Sequence, residues 1–427
     1  MNGELLRQVR ILDPVAGSDR VVDVAIAQGK IQAIAPEISD LSDSIKVINC
    51  QGKILAPGLV DLYSANNEPG REERETLESL AAAALAGGFT RLTLLPNSHP
   101  PLDNPATLEW IRRTCPSAPH FAFWGAMTQN LEGKQMTELA ELAAAGVIGF
   151  ADGLPIANLG LLRRIFEYLA PLNQPIALVA LDKTLRGNGV MREGKQSIRA
   201  GLPGDAAISE TAAIASLIEI LAVTPAPVHL MRISTARGVE AVAEGKARGL
   251  PITASTTWMH LLLDTEDVCS YDPNLRLAPP LGNPEDREAL VAGVKAGIID
   301  AIAIDHAPYT YEEKTVPFSE TPPGAIGLEF ALPLLWQKFV ASGEWTALEL
   351  WRSLSVEPLR CLGQQPQSLN VGDAAELILF DPEATWQADE AHLKSKSQNA
   401  YWLGQEVKGR VLQSWTRTSD RNLTALN

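Results

Sequence analysis

Few residues in this chain could carry metal or acid–base chemistry. The 427 residues hold six histidines: His99, His120, His229, His260, His306 and His392. A hydrolase working with two metal ions draws on about four histidines plus a carboxylate, so the supply is short. Four cysteines, Cys50, Cys115, Cys269 and Cys361, are scattered without a C-x-x-C spacing, which reads as reduced thiols rather than a zinc or redox site. There is no G-x-S-x-G elbow, no H-E-x-x-H pair and no glycine loop of the phosphate-cradling kind. His306, beside Asp305, leaves two readings open, a supporting group for a site or a structural hydrogen bond. His260 reads as packing, Lys183 as part of a surface loop, and His99, His120 and His392 are given no role.

The elements that would position such residues follow from hydrophobic periodicity. Residues 1 to about 56 read as β. Val22, Val24 and Ile26 alternate with polar or small residues, Ile31 and Ile34 follow the turn Gln28-Gly29-Lys30, and Ile45-Lys46-Val47-Ile48 is a further strand. From Gly58 to about residue 360, apolar strands near 59–62, 90–95, 121–125, 147–151, 175–180, 227–231, 251–255 and 300–305 alternate with helical patterns. A helix is expected from about Glu73 to Ala86 before Gly87-Gly88, from Met136 to Ala145 before Gly146, over Ala206 to Ala222, and from Glu285 to Ala296 before Gly297. Eight strands with intervening helices predict an α/β fold, a (β/α)8 TIM barrel with its chemistry on loops at the C-terminal strand ends. Beyond about residue 366 the pattern returns to β at Leu377-Ile378-Leu379-Phe380 and Val407–Leu412. The expected domains are a barrel over 57–365 and a composite β-sandwich from 1–56 and 366–427.

The formal charge is −15, from 36 basic and 51 acidic residues, and argues against nucleic acid as a partner. Mean hydropathy is +0.00, and no apolar run reaches the ~20 residues of a membrane helix. Met1-Asn2-Gly3-Glu4-Leu5-Leu6-Arg7 lacks the basic start and apolar core of a signal peptide, so a cytoplasmic protein with no membrane role is expected.

The organising stretch is Pro57-Gly58-Leu59-Val60-Asp61-Leu62-Tyr63-Ser64-Ala65-Asn66-Asn67-Glu68-Pro69-Gly70. With it come Gly87-Gly88-Phe89-Thr90, Pro96-Asn97, Leu131-Glu132-Gly133-Lys134, Phe150-Ala151-Asp152-Gly153, Ile233-Ser234-Thr235, Pro279-Pro280-Leu281, Asp305-His306-Ala307-Pro308, Gly327-Leu328-Glu329 and Ser395-Lys396-Ser397. In order and nearly end to end, these resemble the dihydroorotases of the amidohydrolase superfamily, specifically the bacterial type I group. That resemblance implies closure of carbamoyl aspartate to dihydroorotate, with metal ions polarising a carbonyl and a strand-8 aspartate moving the proton.

Set against the family pattern, most ligand positions are altered. Where the first strand should end in Asp-x-His-x-His-x-Arg, this chain has Tyr63, Ala65 and Asn67. Val179 stands at the strand-5 histidine. In His229-Leu230-Met231-Arg232 the strand-6 ligand has become Arg232, while His229 matches a non-ligand position and reads as barrel-lining. Ala278 and Tyr309 replace an asparagine and a histidine of the substrate clamp, of which Asn97 remains. A dianionic substrate is therefore expected to meet little positive charge from these positions. Asp152 and Asp305 are the residual metal candidates, and Asp305 is also the retained catalytic position; two carboxylates fall short of three zinc ligands. Asp305 is expected to pair with Arg232 across the barrel mouth.

The resemblance then implies a dihydroorotase-like chain of pyrimidine biosynthesis, catalytically inactive, with no cofactor, serving as a structural partner of aspartate transcarbamoylase, with homo-oligomers expected. The alternative is an active cyclic amidohydrolase with a rebuilt, mononuclear zinc site on Asp152 and Asp305. A third reading is a small-molecule sensor using the old pocket.

Overall fold

The computed structural model describes residues 3–39 and 45–417. Residues 1–2, 40–44 and 418–427 of the expected terminal domain lie outside the described residues. The chain opens with strands β1 (Gly3–Asp13), β2 (Ser18–Ala27), β3 (Lys30–Ala35), β4 (Ile45–Asn49) and β5 (Ile54–Pro57). Eight further strands build the barrel: β6 (Leu59–Ser64), β7 (Phe89–Leu94), β8 (His120–Gly125), β9 (Gly149–Ala151), β10 (Ile176–Val179), and, after a short ribbon of β11 (Met191–Arg192) and β12 (Gly204–Asp205), β13 (Val228–Met231), β14 (Ile252–Thr257) and β15 (Ala301–Ala303). The chain returns to the terminal sheet with β16 (Leu377–Gln387) and β17 (Glu406–Trp415).

Barrel strands pair in sequence, β6 through β10 and then β13 to β15, each parallel to the next. All eight fall where the apolar runs predict them. Every residue of β6 is buried, as expected of a parallel strand covered on both faces. No regular ladder joins β15 to β6. The seam is closed instead by single bonds: Ile304 N–H donates to Asp61 Oδ1 at 2.9 Å, and Ala65 N–H to the His306 carbonyl at 2.9 Å.

The terminal sheet runs β17-β16-β5-β1-β2-β3, with β4 also on β1. Strand alternation gives it two apolar faces. Leu377 and Leu379 join Leu6, Val9, Val22, Val24 and Ile31 in a core of the sheet's own. Ile378 and Phe380 turn the other way into the barrel core, where Phe380 packs edge-on against Trp336 with centroids 5.5 Å apart.

Two helices are shorter than the pattern predicts. The first starts at Leu77, not near Glu73, because Thr76 caps it, accepting the Ser79 N–H at 3.1 Å, and Glu68 accepts the Leu77 N–H at 2.7 Å. This leaves residues 68–76 as a loop over the barrel mouth. The helix expected over Met136–Ala145 spans only Leu139–Ala144, since Met136 bridges to Thr128 and Thr137 Oγ1 donates to the Ala126 carbonyl. Among the described residues, no helix is long and apolar enough to cross a membrane.

Candidate functional site

A cavity of about 420 Å³ opens at the C-terminal ends of the barrel strands, where this architecture places its chemistry. Ala65, Asn67, Asn97, Asp152, Arg232, Ala278, Asp305 and Tyr309 all line it. Tyr63 lies fully buried in the barrel interior, and Val179 ends β10 half-buried.

Arg232 organises the mouth. Its Nε donates to Asp305 Oδ2 at 2.7 Å, Nη2 to Asp305 Oδ1 at 2.6 Å, and Nη1 to the Gly153 carbonyl at 3.1 Å. The ion pair expected across the mouth is thus present, in the bidentate form that suits guanidinium and carboxylate. Burial opposes the Arg232 charge, but Asp305 overcomes it and raises the pKa further. Both partners hold left-handed backbone, Arg232 at φ 59° and Asp305 at φ 53°.

Beneath the pair runs a buried polar chain. Arg232 N–H donates to Tyr63 Oη at 3.2 Å, Tyr63 Oη meets Ser255 Oγ at 2.8 Å, and Ser255 Oγ meets His229 Nε2 at 2.8 Å. His229 Nδ1 reaches Thr253 Oγ1 at 2.9 Å. Burial pushes His229 down to about 3 and the Tyr63 phenol well above its ordinary value, so both stay neutral at pH 7. Tyr63→Phe would strip partners from Ser255 and from the Arg232 N–H. A loss of about 1–2 kcal/mol in urea unfolding is expected, and an unchanged midpoint would show that the chain carries no stability.

The remaining acids are also engaged. Asp152 Oδ1 accepts the Met127 and Thr128 N–H groups at 2.8 and 3.1 Å, and Oδ2 accepts Thr128 Oγ1 at 2.5 Å. It ties down the loop through Gly133, whose N–H donates to Thr128 Oγ1 at 2.9 Å. His306 has a structural place: Nδ1 accepts the Gly327 N–H at 3.1 Å and Nε2 faces Glu75 at 3.5 Å. Glu75 also bonds Ser395, and Glu329 accepts the Lys394 and Ser395 N–H groups, so the segment around Ser395 is strapped to the strand-8 end. His260 is buried, bonded to Thr257 and to the Pro280 carbonyl.

A zinc pair does not fit these residues. Ala65 and Val179 offer no donor atom, Arg232 is a cation, and the oxygens of Asp152 and Asp305 already accept hydrogen bonds. Among the described residues, no three or more His, Cys, Asp or Glu side chains gather as a ligand set.

Two cavity residues escaped the sequence reading. Arg71 and Arg74 both line the mouth, so the site carries more positive charge than the clamp positions suggest. Arg74 pairs with both Glu313 oxygens and stacks over Tyr309 at 4.6 Å from the ring centroid. Lys314, pushed down to about 7 by burial, lies 5.1 Å from the same ring. The signal was available in Gly70-Arg71-Glu72-Glu73-Arg74, two arginines three apart behind a glycine turn.

The strand order, the loops at the strand ends and the composite sheet define an amidohydrolase-type TIM barrel. The structure superposes on an L-hydantoinase (dihydropyrimidinase) from Arthrobacter aurescens with a TM-score of 0.82 at 21% identity, covering 97% of each chain. A family model described as "Dihydro-orotase-like" matches residues 52–237. A "Probable dihydroorotase-like protein" of Synechocystis sp. is 47% identical, over 95% of this chain and 98% of its own length. Proteins named "Dihydroorotase" from Thermoanaerobacter sp. and Pelotomaculum thermopropionicum are 37% and 35% identical, over 92% and 95% of this chain and the same shares of theirs. The chain belongs to the dihydroorotase-like family.

Proposed function

We propose that this protein is a dihydroorotase-like chain without ring-closing activity, kept as a structural partner of aspartate transcarbamoylase in pyrimidine biosynthesis. One observation carries the first half: the guanidinium of Arg232 grips both oxygens of Asp305. In dihydroorotase chemistry that carboxylate position moves a proton beside a metal-polarised carbonyl. Here both of its oxygens are occupied, and Ala65, Val179 and Arg232 supply no metal ligand. The intact barrel around an altered site supports a role in assembly rather than turnover; that half rests on family analogy.

Purified protein incubated with carbamoyl aspartate, or with dihydroorotate, should show no conversion above background with or without added zinc. Tight zinc binding at about one ion per chain, lost in Asp305→Ala, would overturn the non-catalytic reading. Native purification should bring down aspartate transcarbamoylase with this chain; failure to co-elute from its own cells would sink the partner reading.

A further inference from the structure

We propose that the barrel mouth is a metal-independent binding site for a small organic carboxylate, with Arg71 as its anchor. This rests on the reading above, in which no metal charge sits between Arg232 and Asp305. Three arginines line the cavity. Arg232 is neutralised by Asp305 and Arg74 by Glu313. Arg71 is not: among the described residues its guanidinium has no carboxylate within ion-pair range and no hydrogen bond. A half-buried cation facing a cavity without a counter-charge invites an anion.

The loop geometry holds Arg71 on this wall. Arg71 N–H donates to the Asn67 carbonyl at 2.7 Å, and Arg74 N–H to the Arg71 carbonyl at 3.0 Å. Gly70, at φ +99°, sets the turn against His99; a Cβ there would stand 2.2 Å from the His99 carbonyl oxygen, so only glycine allows the approach.

Two amides add donors beside it. Asn67 is 4% exposed and its Nδ2 has no partner, an omission that costs free energy unless a ligand or water fills it. Asn97 Oδ1 accepts the Asn66 N–H at 2.9 Å. A backbone N–H can only donate, so the side-chain oxygen faces it and the NH₂ group is left for the cavity. Arg71 and the Asn97 NH₂ group therefore offer donors, Asn67 adds its unpartnered Nδ2, and the oxygens of Asp152 and Asp305 already accept hydrogen bonds within the protein. An acceptor-only group such as a carboxylate matches that set. Leu95, Leu131, Met259, Leu277 and Pro279 supply apolar lining for the ligand body. Among the described residues, four of the eight non-glycine residues with positive φ, Asn130, Leu131, Arg232 and Asp305, line this same cavity, and such backbone strain collects where a site is held in shape.

The test is calorimetric titration of the full chain in EDTA with succinate and benzoate, and with succinamide and benzamide as neutral controls. At least one acid should bind saturably and its amide about tenfold more weakly or worse. Arg71→Gln should weaken the acid by about tenfold or more, Arg71→Lys by less, and neither should shift the melting temperature, since the Arg71 bonds to Asn67 and Arg74 are made by its backbone and its side chain makes none. Binding of neither acid, or unchanged affinity in Arg71→Gln, overturns the proposal while leaving the non-catalytic reading intact. Binding that needs added zinc and disappears in Asp305→Ala overturns both.

Discussion

Arg232→Ala should destabilise the protein by about 3 kcal/mol, read as a fall in the urea midpoint at pH 7 without a change in slope. The reason is asymmetry. Removing one partner of a sheltered ion pair strands the other charge, which costs ~3–5 kcal/mol, whereas replacing both with apolar groups can be neutral or better. The lower end applies because the Asp305 side chain keeps 22% of its exposure against 12% for Arg232. Arg232→Ala also removes the donor to the Gly153 carbonyl. Asp305→Ala should cost less, since the freed guanidinium retains that carbonyl and the Tyr63 ring, 5.5 Å away. The double variant Arg232→Met/Asp305→Leu should recover most of the loss. A double-mutant cycle with coupling under about 0.5 kcal/mol, the range of exposed pairs, would show that the pair is a surface contact and not the feature that fills the mouth.

Much of this was legible from residue order. The barrel strands stood out because parallel strands buried on both faces read as unbroken apolar runs, and Tyr63, Ala65, Val179 and Arg232 stood out because each interrupts a known arrangement of ligands. The Arg232–Asp305 pair could be anticipated, since a cation and an anion at strand ends facing the same barrel mouth attract. The start of the first helix was not legible: helix propensity favours Glu73 onward, but the cap at Thr76 and the bond from Leu77 N–H to Glu68 are settled by side chains folding back. Nor was the charge of the mouth. Arg71 reaches it through a turn whose shape depends on contact between Gly70 and His99, two loops that meet only in the fold. The polar chain from Tyr63 to Thr253 is likewise tertiary: its members come from β6, β13 and β14, and burial, helped by the charge of Lys246, makes His229 a neutral strut.

The second large effect concerns Asp61, the staple of the barrel seam. Its Oδ1 accepts the Ile304 N–H and its Oδ2 the Ser64 hydroxyl at 2.5 Å. Asp61→Leu keeps the branched outline in a larger side chain and leaves two buried polar groups unpaired where no ladder joins β15 to β6. At about 1–3 kcal/mol for each such group, a loss of about 3 kcal/mol follows, with hydrogen exchange at Ile304 rising first. Asp61→Asn separates charge from geometry, because its oxygen can still accept from Ile304 and its NH₂ can donate to Ser64. Burial pushes the Asp61 carboxyl up from 3.8 to about 7, outweighing the hydrogen bonds from Ser64 and Ile304 that favour the anion. A folded-state pKa above the unfolded one means that the folded protein holds the proton more tightly. Its stabilising contribution is therefore complete below about pH 4, declines as pH rises from about 4 to about 7, and is gone above that. Asparagine cannot lose that proton, so the stability of Asp61→Asn relative to the natural protein should rise across this window by up to about 1.4 kcal/mol per pH unit. Taking the difference between the two proteins cancels Glu329, which burial also raises to about 7. A difference that is flat from pH 4 to 8 would mean that Asp61 is ionised throughout. The seam would then be held by a buried carboxylate, and Asp61→Asn should be destabilising at every pH.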